Sequence, residues 1–168
     1  MALKDFFLGP IFFFIVLAIA MSLRNRLAKT EEEKKIYLKA FMLKLFGVTI
    51  FSLIFEFYYG GGDSMGFYAW SESFIKYISN DFSSALEFLF SDEETAFYKF
   101  RYNYRPAKYS YLFKYGTREV AFIKITSIIN IFAFNSYLST SYIFALISFV
   151  GNWLLFKVFI SYYPLIKK

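Results

Sequence analysis

The chain has 168 residues, 58% of them hydrophobic and 25% aromatic, with a mean hydropathy of +0.42. Soluble domains are about 45–50% apolar, so this excess is more than one small core can bury, and lipid has to cover the rest. The absence of Cys and His excludes disulfides, thiol chemistry, the usual zinc sites and imidazole acid–base steps, and leaves only oxygen ligands for a hard cation. The net charge of +6 is read as a topology signal and not as a nucleic-acid footprint, because Lys and Arg collect on the cytoplasmic side of membrane proteins.

The first apolar run, from Phe6 to Leu23, carries no charge and matches the roughly 17–25 residues that cross a bilayer. The dense basic cluster follows this run instead of leading it, which marks an uncleaved helix and not a signal peptide. That cluster is RNRLAKTEEEKKIYLK, with Arg24, Arg26, Lys29, Lys34, Lys35 and Lys39. The positive-inside rule places it in the cytoplasm and the N-terminus outside. Thr30 ahead of Glu33 has capping-box spacing and predicts a helix start. A second span is predicted from Ala40 to Tyr59, with Lys44 near its cytoplasmic end and able to snorkel. Gly60, Gly61 and Gly62 then stop it.

No stretch of residues 60–119 is apolar enough to cross, and its charges nearly balance, which suits an extracytoplasmic loop. Phe67, Trp70, Phe74, Tyr77 and Ile78 recur at spacings of three and four, as in an amphipathic helix. Phe82, Leu86, Leu89 and Phe90 suggest a second, short one. Their aromatic faces are expected in the lipid interface or against the ends of the spans. The segment FYKFRYNYRPAKYSYLFKY, from Phe97 to Tyr115, interleaves aromatics with cations. Outside a membrane this pattern favours interfacial or loop packing over single-stranded nucleic acid. Pro106 forbids a continuous helix through it.

A third span is predicted from Val120 to Leu138 and a fourth from Tyr142 to Tyr163, joined by a tight hairpin at Ser139–Thr140–Ser141. Asn130, Asn135 and Asn152 are the candidates for interhelical hydrogen bonds. The expected fold is thus an all-α membrane protein with about four transmembrane helices and short amphipathic helices in an extracytoplasmic loop. It divides into 1–59, 60–119 and 120–168, and both termini lie outside.

The sharpest candidate for chemistry is FEFYYGGGDSMGFY, from Phe55 to Tyr68. It sets the carboxylate of Asp63 on a glycine hinge where a span meets the outer surface, with Ser64, Tyr68 and Glu56 nearby. A carboxylate so placed can deprotonate a hydroxyl or hold a divalent cation beside a lipid headgroup. It can equally cap a helix that begins at Ser64.

Two leading spans followed by YYGGGDS and a nearby Tyr resemble the start of polytopic bacterial membrane proteins akin to GT-C-type lipid-carrier-dependent glycosyltransferases and exopolysaccharide polymerases. The resemblance covers roughly the first 70 residues, with fainter echoes in FNSYLS and SYYP. It implies a bacterial inner-membrane protein that uses a polyprenyl-phosphate-linked sugar, with Asp63 as catalytic base or metal contact and a divalent cation as the cofactor. Tyr68, Arg101, Arg105 and Lys108 are then the substrate-binding candidates, the cations facing the lipid phosphate. Such proteins usually have ten or more spans, so the resemblance implies the N-terminal part of a longer product or a short relative. The rival reading is a non-catalytic accessory subunit of a larger membrane complex. An oligomeric pore lined by the three asparagines is the weakest alternative.

Overall fold

The structure, a computed structural model, describes residues 3–109, 116 and 118–162. These form seven helices and no strand: α1 (Leu3–Leu27), α2 (Glu31–Phe57), α3 (Asp63–Asn80), α4 (Phe82–Phe90), α5 (Glu94–Asn103), α6 (Arg118–Phe132) and α7 (Tyr137–Tyr162). Three of them, α1, α2 and α7, are long and apolar enough to cross a membrane.

These three helices bundle through stripes at helical spacing. Phe12, Val16 and Ala20 of α1 meet Tyr37, Phe41 and Leu45 of α2 and Tyr142, Ala145, Phe149 and Trp153 of α7. Residues four apart lie one above another on a helix, so each stripe is a continuous seam. The Tyr37 ring stands edge-on to Phe149 and to Trp153, each at 4.9 Å. Gly9 lies against Leu138, where a Cβ would collide with the leucine side chain; the missing side chain lets α1 and α7 approach closely. The remaining faces, with Phe7, Ile11, Phe14, Leu43, Phe46, Ile50, Leu155 and Phe159, are exposed and suit lipid.

The turn between α1 and α2 follows the capping box. Thr30 Oγ1 accepts from the Glu33 amide at 3.2 Å, and Glu33 Oε2 accepts from the Lys29 amide at 2.8 Å. The far end of α7 lies on this side of the bundle. Trp153 Nε1 donates to the Leu27 carbonyl at 3.2 Å, and Lys157 Nζ pairs with Glu33 Oε1 at 2.6 Å. This corrects the expectation of a C-terminus on the side opposite the basic loop, as far as the described residues reach. The closing residues 163–168 lie outside them.

The departure arises in the third expected span. Its helix, α6, has 15 residues and a length of roughly 22 Å, short of the ~30 Å hydrocarbon core. It ends at Phe132, and the chain reverses through Ala133–Ser136. Ser139, Thr140 and Ser141, expected to form the hairpin link, instead lie in the first turns of α7. The reversal falls earlier because Phe134 and Asn135 take left-handed φ of 52° and 54°, and the Asn135 amide returns to the Asn130 carbonyl at 3.0 Å. Hydrogen bonding of this kind closes a helix C-terminus.

Helices α3 to α6 form a cap with a core of its own. Trp70, Phe74 and Tyr77 of α3 pack with Phe88 of α4, Phe97 and Phe100 of α5 and Ile123 of α6. The aromatic face of α3 is therefore turned inward and not toward lipid. In α4 the buried face is Ser84, Ala85 and Phe88, while Phe82 and Phe90 point out. Phe97 and Phe100, from the aromatic–basic segment, are core residues, and α5 ends at Asn103, before Pro106. Trp70 Nε1 donates to the Tyr109 carbonyl at 3.1 Å and ties down the non-helical residues 104–109. Residues 110–115, the last third of that segment, lie outside the described residues.

Candidate functional site

The polar side chains that the fold buries converge on the α6–α7 elbow. Asn130 is fully buried and donates to Ser71 Oγ at 2.9 Å and to Asn135 Oδ1 at 3.1 Å. Its own carbonyl oxygen accepts from Thr140 Oγ1 at 2.9 Å. Asn135 donates to Glu72 Oε1 at 3.3 Å, and Glu72 faces Lys4 at 3.7 Å. Asp5, 2% exposed at the start of α1, accepts from Ser136 Oγ at 2.7 Å and lies 3.4 Å from the Leu138 amide. A carboxylate at the first turn of α7 complements that helix's dipole. Each left-handed non-glycine residue costs of order 1–3 kcal/mol, and this network holds the strained turn in place. Of the three asparagines singled out in the sequence, Asn130 and Asn135 are in the network, whereas Asn152 is exposed on α7.

Tyr68 belongs to the same network. Its hydroxyl donates to the Asn135 carbonyl at 2.8 Å and lies 3.3 Å from Asn135 Oδ1. Burial pushes its ionisation up, and the carboxylates of Glu72 and Asp5 push in the same direction. Tyr68 is therefore a protonated structural donor between α3 and the elbow. Ser64 joins this side of α3 through a 3.1 Å contact with the Tyr137 hydroxyl.

Asp63 is placed differently. It is the first residue of α3 and is exposed; the cap position belongs to Gly62, with no side-chain capping bond. This corrects the capping expectation: Asp63 faces the positive end of the helix dipole from within the first turn. The hinge before it needs its glycines, since Gly60 has φ 62° and a Cβ on Gly62 would collide with the Phe55 ring. Among the described residues, no group of three or more His, Cys, Asp or Glu side chains is placed to hold a metal ion.

The candidate cations divide. Arg105 and Lys108 line an open cleft of about 410 Å³ on the cap, with Lys76, Glu72 and Tyr104. Lys108 Nζ donates to the Gly60 carbonyl, which brings one cation to the hinge that carries Asp63. Arg101 does not line this cleft. Lys76 and Glu72 were not singled out in the sequence, where they are two ordinary charges on an amphipathic helix; only folding brings α3 beside residues 103–109.

A second concavity, of about 320 Å³, runs along the bundle between α2 and α7 under the start of α3 and α6. Its walls are mostly apolar, with hydroxyls from Ser141, Ser148, Thr140 and Tyr137 and a single cation, Lys44.

Comparison with protein-family models, with curated proteins and with solved structures gives no match.

Proposed function

We propose that the protein is a non-catalytic subunit of a larger membrane assembly, anchored by α1, α2 and α7 and carrying the α3–α6 cap outside a bacterial inner membrane. The observation that supports this most is the distribution of the residues singled out for chemistry. Asp63 is exposed on a helix start, Tyr68 is committed to the elbow, and Arg101 stands off the cleft that Arg105 and Lys108 share. Positive charge sets the orientation in this reading. The 24–39 turn and the Lys157 end of α7 face the cytoplasm, and three spans then carry the end of α7 inside. Helix α6 is read as part of the cap.

One observation favours a second reading, an enzyme that acts on a polyprenyl-phosphate-linked sugar. Lys108 meets the hinge beside Asp63, and Lys76, Arg105 and Lys108 line one cleft suited to a phosphate. Asp63 would be the base that deprotonates an acceptor hydroxyl.

One substitution separates the two readings. With Asp63→Asn the accessory reading expects unchanged protein abundance, unchanged co-purification with a larger partner and unchanged glycan assembly in the parent cells. Loss of glycan assembly at normal abundance overturns it and establishes the enzyme.

A further inference from the structure

We propose that the outward face of α6 is a lipid contact, which seats the cap in the leaflet opposite the basic turn with α6 immersed among the acyl chains. This rests on α1, α2 and α7 spanning the membrane and holds for either reading of the function.

The polarity of α6 is inverted. Its buried side is Ile123, Thr126, Ser127 and Asn130. Its open side is Phe122, Ile125, Ile128, Ile131 and Phe132, each 39–69% exposed. A helix on the surface of a body in water does the reverse, burying an apolar stripe and showing its polar side. Helix α3, packed on α6, follows that ordinary rule: it buries Trp70, Phe74 and Tyr77 and exposes Lys76, Ser79 and Asn80. In α6 the polar groups are turned in, where Thr126 donates to the Phe122 carbonyl at 2.7 Å and Asn130 to Ser71. That arrangement suits hydrocarbon, in which an outward hydroxyl or amide has nothing to bond.

Two ring contacts fix the depth. At the start of α6, Phe122 stacks on Phe144 of α7, with centroids 5.7 Å apart and planes 8° from parallel. Just past its end, Phe134 meets Phe12 of α1 edge-on at 6.2 Å. Phe144 is seven residues along α7 from Tyr137, and Phe12 is seven along α1 from Asp5, roughly 10 Å in each case. Asp5 and the start of α7 are level, since Asp5 accepts from Ser136. Helical side chains lean toward the N-terminus, which is the outer end of both helices. The rings therefore sit between that level and roughly 10 Å below it, in the outer half of the ~30 Å hydrocarbon core. Both ends of α6 are pinned within this layer.

Charge is kept off the open face. No charged residue occurs between Lys124 and Lys157. Lys124 itself turns away to α4, donating to the Ser91 carbonyl at 2.8 Å and pairing with Asp92 at 3.1 Å, with its side chain 15% exposed. Phe132 and Phe134, each 69% exposed, carry the apolar surface from α6 to α1, so the lipid that covers the bundle reaches α6 without a polar break. A protein partner would meet a polar rim around an apolar centre. Every exposed side chain of residues 125–132 is apolar.

The chain has no cysteine, so single cysteines can be introduced into the full chain and labelled with bimane. The labelled protein is reconstituted in phosphatidylcholine vesicles whose acyl chains carry bromine either near the carbonyl or near the methyl end. Ile128→Cys and Phe132→Cys report on α6, Ile147→Cys on the bundle and Asn80→Cys on the far end of α3; all four positions are exposed. The two α6 probes should lose fluorescence to the shallow bromines more than to the deep ones and should resist iodide in the buffer. Ile147→Cys should be quenched more by the deep bromines, and Asn80→Cys by iodide alone. Iodide quenching of the α6 probes without a bromine effect, while Ile147→Cys is quenched by bromine, overturns the proposal and leaves α6 in water. Protection of the α6 probes from both quenchers also overturns it, in favour of a second copy covering the face. If Ile147→Cys too escapes bromine, the spanning reading falls with the proposal.

Discussion

The membrane bundle and the cap are both rich in aromatic side chains and use them in opposite ways. In the bundle, α1, α2 and α7 each bury one seam and leave most of their apolar surface exposed. In the cap, Trp70, Phe74, Tyr77, Phe88 and Phe100 point toward one another, with Phe100 against Phe88 at 4.5 Å and stacked on Tyr77 at 5.4 Å. The first arrangement needs lipid to be stable, because water would have to cover the outer faces. The second has a core that water cannot reach. The two meet at the Asn130–Asn135 elbow, where Asn130, Asn135, Ser71 and Thr140 hydrogen-bond to one another. Composition alone therefore does not distinguish a spanning helix from a cap helix; the direction in which the aromatics face does.

That contrast can be broken first at Phe100. Phe100→Ala should cost the cap about 3–5 kcal/mol, as for other buried aromatics. In detergent, trypsin should then cleave α3–α5 at a lower temperature while the α1–α2–α7 fragment stays protected. Simultaneous loss of both regions would show that they melt as one unit. Asn130→Ala is the next largest change. It leaves Ser71 without its Asn130 donor and removes one of the two acceptors of Thr140, whose hydroxyl also faces the Ser136 carbonyl, costing about 1–3 kcal/mol, and hydrogen exchange should quicken on both sides of the elbow. An effect confined to α6 would mean that the elbow does not couple the two regions.

Glu33→Gln should cost at most about 1 kcal/mol, since its pair with Lys157 is partly exposed. Amide exchange at the end of α7 should rise with none in the cap.

The smallest effect is a pH step in the cap. The hydroxyl and amide of Ser84, then Lys99, hold the Asp81 carboxyl down from its ordinary 3.8 to about 2. A depressed carboxyl contributes stability that is complete above about pH 3.8 and is lost as pH falls through about 2. Acid titration followed by tryptophan fluorescence should show this step in the wild type and not in Asp81→Asn.

Local chemistry was legible in the sequence. An uncharged run of helical length, a capping box at Thr30 and three consecutive glycines each act through neighbouring residues, and α1, the start of α2 and its end before Gly60 follow from them. The periodicity of Phe67, Trp70, Phe74 and Tyr77 likewise marks α3. Beyond that range the pattern ran out. Val120 to Leu138 is apolar throughout, and hydropathy does not register that Phe134 and Asn135 turn left-handed because Tyr68, Glu72 and Asn130 wait to bind the turn. The cleft joins Lys76 to Arg105 and Lys108 only because α3 packs beside residues 103–109. Asp63 was visible as a carboxylate on a glycine hinge, but its exposure was not.

By itself, then, the sequence determined that the chain is helical and lipid-facing and where its first two long helices begin and end, because apolar length and caps are local properties. Tertiary structure alone decided that a third apolar segment breaks into α6 and an elbow, that the end of α7 returns to the basic turn, and that Lys44 of α2 and Ser148 of α7 line one groove. Each of these depends on side chains distant in sequence meeting in space, and hydropathy along the chain carries no record of such meetings.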